Sequence, residues 1–249
     1  MINERILFGY PIEFQDICFI YPIKNEDIIS VGYNNFWMLY SLLTASFEDL
    51  YDLAREKAKK EKKKIDIKSI PMPWDNLWNM IEQDKESLYL VKKALELFVK
   101  TDVYFLSNIK EIIIGPIEEH RSINSNNFFE FQNALRSSVG QKELDPPNLK
   151  MHPKIMEMKA KARERDRIKA KQESGHFSFG NLLLNVCAMN VGINIDNILK
   201  QTYCMTVNLY KIGSKKEKFD IDIRSIIAGA DPKKVKLKQW TNDDDDDDK

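Results

Sequence analysis

Residues 154–173, KIMEMKAKARERDRIKAKQE, have helix propensity throughout, yet past Met158 their only large apolar side chain is Ile168. A helix without an apolar stripe cannot lie in a core; it is solvated, flexible, or ordered only against a partner. This stretch therefore divides what the chain can bury. The residues before it, 143–153, hold Asp145-Pro146-Pro147 and His152-Pro153 and read as a linker. The expected organisation is an α+β domain over 1–143, a Pro-containing linker and charged helix over 144–175, and a helical domain over 176–240. An acidic end follows over 241–249. The overall class expected is α+β and predominantly α-helical, with an N-terminal and a central β-hairpin and an all-helical C-terminal part.

The chain has 249 residues, enough to bury an ample core. Positive and negative side chains cancel to a formal net charge of zero, which argues against a dedicated nucleic-acid coat or a basic membrane binder. Three cysteines, Cys18, Cys187 and Cys204, form no CxxC spacing and suit buried thiols in a reducing compartment better than a disulfide framework. The first residues carry Glu4 and Arg5 and do not read as a signal peptide, and no apolar run approaches the roughly 20 residues that span a bilayer. An intracellular soluble protein is expected.

The segment ILFGYPIEFQDICFIYPI reads as two short strands joined by a turn. Helix follows over about 26–64, with Leu39, Leu42, Leu43, Phe47 and Leu50 spaced by threes and fours, until AREKAKKEKKK offers no apolar face. Beyond Pro71 and Pro73, Asp75 is a candidate cap for a helix through Trp78 and Ile81. A further helix over 85–100 carries Leu88, Val91, Leu95 and Phe98 on one face. VYFLSNIKEIIIG reads as a hairpin turning at Ser107-Asn108. Asn124 or Ser125 is the expected cap of a helix bearing Phe128, Phe131, Ala134 and Leu135. In the C-terminal part a helix over about 178–189 precedes a break at Val191-Gly192. Asn194 then caps a second helix through Ile198, Thr202, Met205, Leu209 and Ile212, and a third covers about 218–228, burying Ile223, Ile226 and Ile227.

No catalytic constellation stands out, and no enzyme, metal or cofactor is expected. His120, His152 and His176 lack metal-ligand spacing. GSKKEK at Gly213 lacks the glycine spacing of a phosphate loop and reads as a helix stop with a basic turn. Asp220 and Asp222 resemble paired carboxylates, but Asp220 reads more simply as a helix cap. The two lysine- and arginine-rich runs could contact phosphates. However, Glu164 and Asp166 interleave with the arginines as pairs on one helix surface would, and no aromatic residue sits among them to stack on bases. Trp37, Trp74 and Trp78 read as core or interface rings whose N–H groups find acceptors.

The chain then runs IIAGADPKKVKLKQW. Gly229 supplies a left-handed helix stop, and Asp231-Pro232 supplies a cap and first-turn proline. Val235 and Leu237 alternate with Lys234, Lys236 and Lys238, so one side of the strip can pack while its ammonium groups stay in water. The final NDDDDDDK contains the DDDDK cleavage sequence used in expression tags and reads either as a tag remnant or as a native disordered acidic end.

FDIDIRSIIAGADPKKVKLKQW resembles the C-terminal signature of phage proteins from low-GC Gram-positive (Firmicutes) bacteria and their prophages, which are similar to the tail assembly chaperones of long-tailed phages. The likeness extends upstream through HPKIMEMKAKARERDR and NVGINIDNILKQTYCMTVNLY, and more loosely to NLWNMIEQDKESLYLVKKALELF. It implies a non-enzymatic assembly factor of the host cytoplasm, absent from the mature virion. Such a factor keeps the tape measure protein soluble until the tail tube polymerises, and its partners are the tape measure protein and tail-tube subunits. Self-association stays open. The residues that would meet a partner are Ile226, Ile227, Val235, Leu237, Trp240, Lys234 and Lys236. A structural tail or baseplate protein and a nucleic-acid-binding phage protein are the alternatives.

Overall fold

The structure, a computed structural model, describes residues 4–63, 65–148, 151–173, 178–190, 192–231, 235 and 237, with backbone alone at 170–173. The expected class holds: the fold is α+β and mostly helical, with two small antiparallel sheets.

A single helical turn, α1 (Glu4–Leu7), precedes the first hairpin, β1 (Ile12–Phe14) and β2 (Cys18–Ile20). The hairpin pairs Ile12 with Ile20 and Phe14 with Cys18, turning through Gln15 and Asp16, both at positive φ. The predicted long helical region after it is three helices: α2 (Asn25–Val31), α3 (Tyr33–Thr44) and α4 (Phe47–Glu61). Gly32, at φ +88°, separates the first two, and a reciprocal Ser46–Asp49 cap opens α4. Helices α5 (Pro73–Gln83) and α6 (Lys85–Val99) follow. Asp75 does not cap α5. Pro73 occupies its first position, where a missing N–H costs nothing, so Met72 is the cap residue. The face predicted for α6 is the one that packs: Val91, Leu95 and Phe98 are fully buried.

The second hairpin, β3 (Val103–Leu106) and β4 (Glu111–Ile114), gains an unpredicted third strand, β5 (Ser122–Ile123), which is only two residues long. Helix α7 (Phe128–Ser138) has Asn127 at its cap position. Asn124 and Asn127 instead bond each other's surroundings just upstream: the Asn124 N–H donates to Asn127 Oδ1 at 2.8 Å, and the Asn126 N–H to Asn124 Oδ1 at 3.0 Å. The chain continues through α8 (Pro153–Glu173), α9 (Phe179–Met189), α10 (Ile195–Ile198) and α11 (Tyr203–Ile227). Ser178 caps α9 and Asn194 caps α10 through side-chain oxygens.

Residues on both sides of the charged stretch share one apolar cluster, which holds Phe36, Trp78, Phe98 and Phe131 together with Phe179, Leu182 and Val186. Tyr33 stacks on Phe179 with ring centroids 5.2 Å apart, and Trp37 meets Tyr203 edge-on at 5.6 Å. A polar clasp beside these rings ties residues 23–26 to 198–206. The Asn25 side chain, fully buried, donates to the Ile198 carbonyl at 2.7 Å and to Thr206 Oγ1 at 2.6 Å, and the Tyr203 N–H donates to the Ile23 carbonyl at 2.8 Å. Trp37 and Trp78 depart from the expectation for their N–H groups: both Nε1 atoms are buried without an acceptor among the described residues. Burial pushes the Cys18 thiol up to about 12 and raises that of Cys204, so both stay protonated at neutral pH.

The largest departure lies in the last helix. Where the sequence suggests Asn194-capped and Asp220-capped helices separated by a stop at Gly213, α10 ends at Ile198 and Thr202 caps a single 25-residue helix. Gly213 and Asp220 both lie inside it. Gly213 serves close approach rather than termination: a Cβ there would stand 2.9 Å from Met189 Sδ and 3.1 Å from Met189 Cβ. The expected result of Gly213→Val is a loss of about 1–3 kcal/mol in urea unfolding, because overpacking outweighs the gain in helix propensity. An unchanged midpoint would show that the α9–α11 contact tolerates the added bulk.

Candidate protein-binding site

Helices α9 and α11 run in the same direction. Phe179 lies 6.2 Å from Tyr203, ring to ring, at one end, and Met189 covers Gly213 at the other. Helix α9 stops there, while α11 continues for 14 residues, about 21 Å at helical rise. Gly213 is the last fully buried residue of α11, and the apolar side chains packed on the main core end at Tyr210. The remaining half carries Phe219, Ile223 and Ile226, half-buried at spacings of four and three, with Ile221 and Ile227 55% and 81% exposed. The expectation that Ile223, Ile226 and Ile227 are core is therefore corrected. The sequence pattern identifies helix but cannot tell that the neighbouring helix has already ended.

Among the seven residues expected to meet a partner, Ile226 and Ile227 occupy the last turn of α11, ahead of Gly229 at φ +100°. Val235 is half-buried and Leu237 exposed. Lys234, Lys236 and Trp240 lie outside the described residues, as do Pro232 and the acidic run. His176 does too.

A second feature was unforeseen. The charged helix α8 crosses α4, the helix that ends in the lysine-rich run. Phe47, Leu50 and Tyr51 of α4 join Ile70, Met156 and Ala160 in a small satellite cluster. Around it, Arg163 forks onto Asp52 at 3.0 and 2.7 Å, and Arg167 reaches Asp49 at 3.1 Å. Arg55 donates to Glu157 at 3.0 Å and to Glu164 at 2.8 Å, and Lys59 approaches Glu164 at 3.4 Å. Glu164 is thus paired between helices rather than along its own. The Arg55 hydrogen bond, then that of Lys59, holds its carboxyl below the usual carboxylate range. The opposite charge orders on two separate segments were the available signal. Neither run discloses it alone.

Elsewhere, an open depression of about 980 Å³ is bordered by Ile12, Glu130, Asn133, Gln141 and Glu143. An apolar groove of about 230 Å³ runs between Trp74, Phe128 and Phe129. No group of three or more His, Cys, Asp or Glu side chains among the described residues is placed to hold a metal ion. His120 ends a short 3-10 turn at φ +48°, and His152 Nδ1 accepts from the Lys154 N–H at 3.2 Å. No helix among the described residues is long and apolar enough to cross a membrane.

Fold and surface together define an α+β, mostly helical protein whose last helix has no fully buried residue past Gly213. Residues 169–244, about a third of the chain, match the family described as the YomV second domain. That match, which spans α9 to α11 and the stretch after them, points to a phage-derived protein of the Bacillus prophage type. No curated protein and no solved structure matches the chain.

Proposed function

We propose that the protein is a phage tail assembly chaperone, which binds the tape measure protein and keeps it soluble until the tail tube polymerises. The observation that carries this reading is the far half of α11. It lies in the segment of phage affinity and presents Ile221 and Ile227 to solvent on a helix with no fully buried residue past Gly213. Exposed apolar side chains on such a helix suit reversible packing against an amphipathic helical partner. The resemblance of FDIDIRSIIAGADPKKVKLKQW to the chaperone signature supports the same surface.

Co-expression with the tape measure protein of the same phage tests the reading. The tape measure protein becomes soluble and co-purifies with the chain. Because both isoleucines are exposed, Ile221→Asp with Ile227→Asp leaves the thermal unfolding of the free protein unchanged and removes the co-purification. Unchanged tape measure solubility with no co-purification would rule the proposal out. A fixed copy number in purified particles, read by mass spectrometry, would favour a structural tail protein instead.

A further inference from the structure

Helix α8 meets α4 through ion pairs more than through apolar area, since Met156 and Ala160 are its only fully buried side chains among 153–169. The ion pairs across the contact are lopsided. On α4, the Asp52 and Arg55 side chains are only 7% and 5% exposed. Their partners on α8 remain near water: Arg163 is 30% exposed, Glu157 35%, Glu164 45% and Arg167 53%.

This asymmetry identifies which side pays for the contact. Asp52 and Arg55 stand three residues apart on a helix surface, with α8 supplying the ion-pair partners that face them. Seating α8 desolvates both charges, and the pairs gained in return roughly break even against that loss. Pairs whose outer members are half-exposed add little more and are screened by salt. What remains is the small satellite cluster. The hold on α8 is weak, and the segment before it, residues 139–148, contains no helix or strand and is tied by hydrogen bonds to α7, as far as Leu144, rather than to α8.

We propose that the α4 face bearing Leu50, Tyr51, Asp52 and Arg55 is a helix-binding surface on which α8 is the resident, displaceable occupant. Its partner is a helix of another protein with the charge order of α8: a glutamate, then an adjacent arginine-glutamate pair, then a second arginine, all within about three turns. Asp52 and Arg55 select that order, because a helix with the charges reversed would bury like charges against them. The surface is separate from the far half of α11, and the inference holds whichever protein supplies the helix.

Two measurements on the full chain test it. In the first, amide hydrogen exchange is followed at about 0.05 M and about 1 M salt, where the Debye length falls to about 3 Å. Exchange over residues 153–173 accelerates at high salt, while α3 and α6 keep their protection. In the second, the probe is a fluorescein-labelled synthetic peptide of residues 153–173. Arg163→Asp with Arg167→Asp weakens the resident helix, and the peptide then binds about tenfold or more tighter than to the unaltered chain, because the competent fraction rises. Adding Arg55→Glu to that variant, which repels the glutamates of the peptide and of the resident helix alike, abolishes the binding. The proposal is overturned by salt-independent protection of α8, by equal peptide affinity for both proteins, or by binding that survives Arg55→Glu. It is also overturned if the arginine substitutions strip protection from α3 and α6, since α8 would then be an integral part of the fold.

Discussion

Asn25→Asp destabilises the protein by about 3–5 kcal/mol at neutral pH, the range for an uncompensated buried charge. Asn25 is fully buried, and its amide nitrogen serves two acceptors, the Ile198 carbonyl and Thr206 Oγ1. The Thr206 hydroxyl already donates to the Thr202 carbonyl at 3.1 Å, so it has no proton to turn towards a carboxylate. An introduced carboxylate would place an oxygen against the Ile198 carbonyl where an N–H now stands. Its other oxygen would inherit the site of Asn25 Oδ1, which has no donor among the described residues. The pH dependence follows from the direction of the shift. Burial without donors raises the carboxyl's folded pKa above its unfolded value of about 3.9. The penalty is therefore absent below the unfolded value, where the acid is protonated in both states, and grows as pH rises towards the folded value. Urea unfolding at neutral and acid pH checks this. A loss that does not shrink on acidification would contradict it.

Gly140→Ala costs about 2–5 kcal/mol, the sum of left-handed backbone strain and overpacking. Gly140 follows α7 at φ +75°, where its N–H donates to the Ser137 carbonyl and the next N–H to the Arg136 carbonyl. Such a helix ending needs the left-handed region, which an L-side chain enters at a cost. The space is also taken. A Cβ at Gly140 would stand 2.5 Å from Cys204 Sγ and 3.4 Å from Cys204 Cβ, in the first turn of α11. Cys204 is buried and cannot swing into solvent. The pair Gly140→Ala with Cys204→Ala separates the two contributions, since removing the sulfur relieves the clash and leaves only the strain. Denaturant midpoints of both single variants and the double variant read the difference; a Gly140→Ala loss as large in the Cys204→Ala background as in the unaltered chain would show that strain dominates.

Both substitutions sit where distant parts of the chain meet, which is also where reading the residues in order fails. Helix α6 was legible because Val91, Leu95 and Phe98 recur at helical spacing, and so were the two hairpins, with apolar strands about short polar turns. Capping at Ser178 and Asn194 was within reach because a cap acts over three residues. The small apolar content of residues 154–173 correctly kept that helix out of the main core.

The sequence by itself determined the periodic elements, the helical bias and the segments that cannot be buried. Each of these depends on residues a few positions apart. Tertiary structure alone decided that Gly213 passes through a helix instead of ending one, because the deciding neighbour is Met189, 24 positions earlier. It also decided that the charges of α8 answer those of α4 about a hundred residues away, and that Asn25 closes the fold on residues 198–206. A glycine, a buried asparagine or a run of charges has several local uses of similar free energy. The choice among them falls to whichever surface the rest of the chain brings into contact.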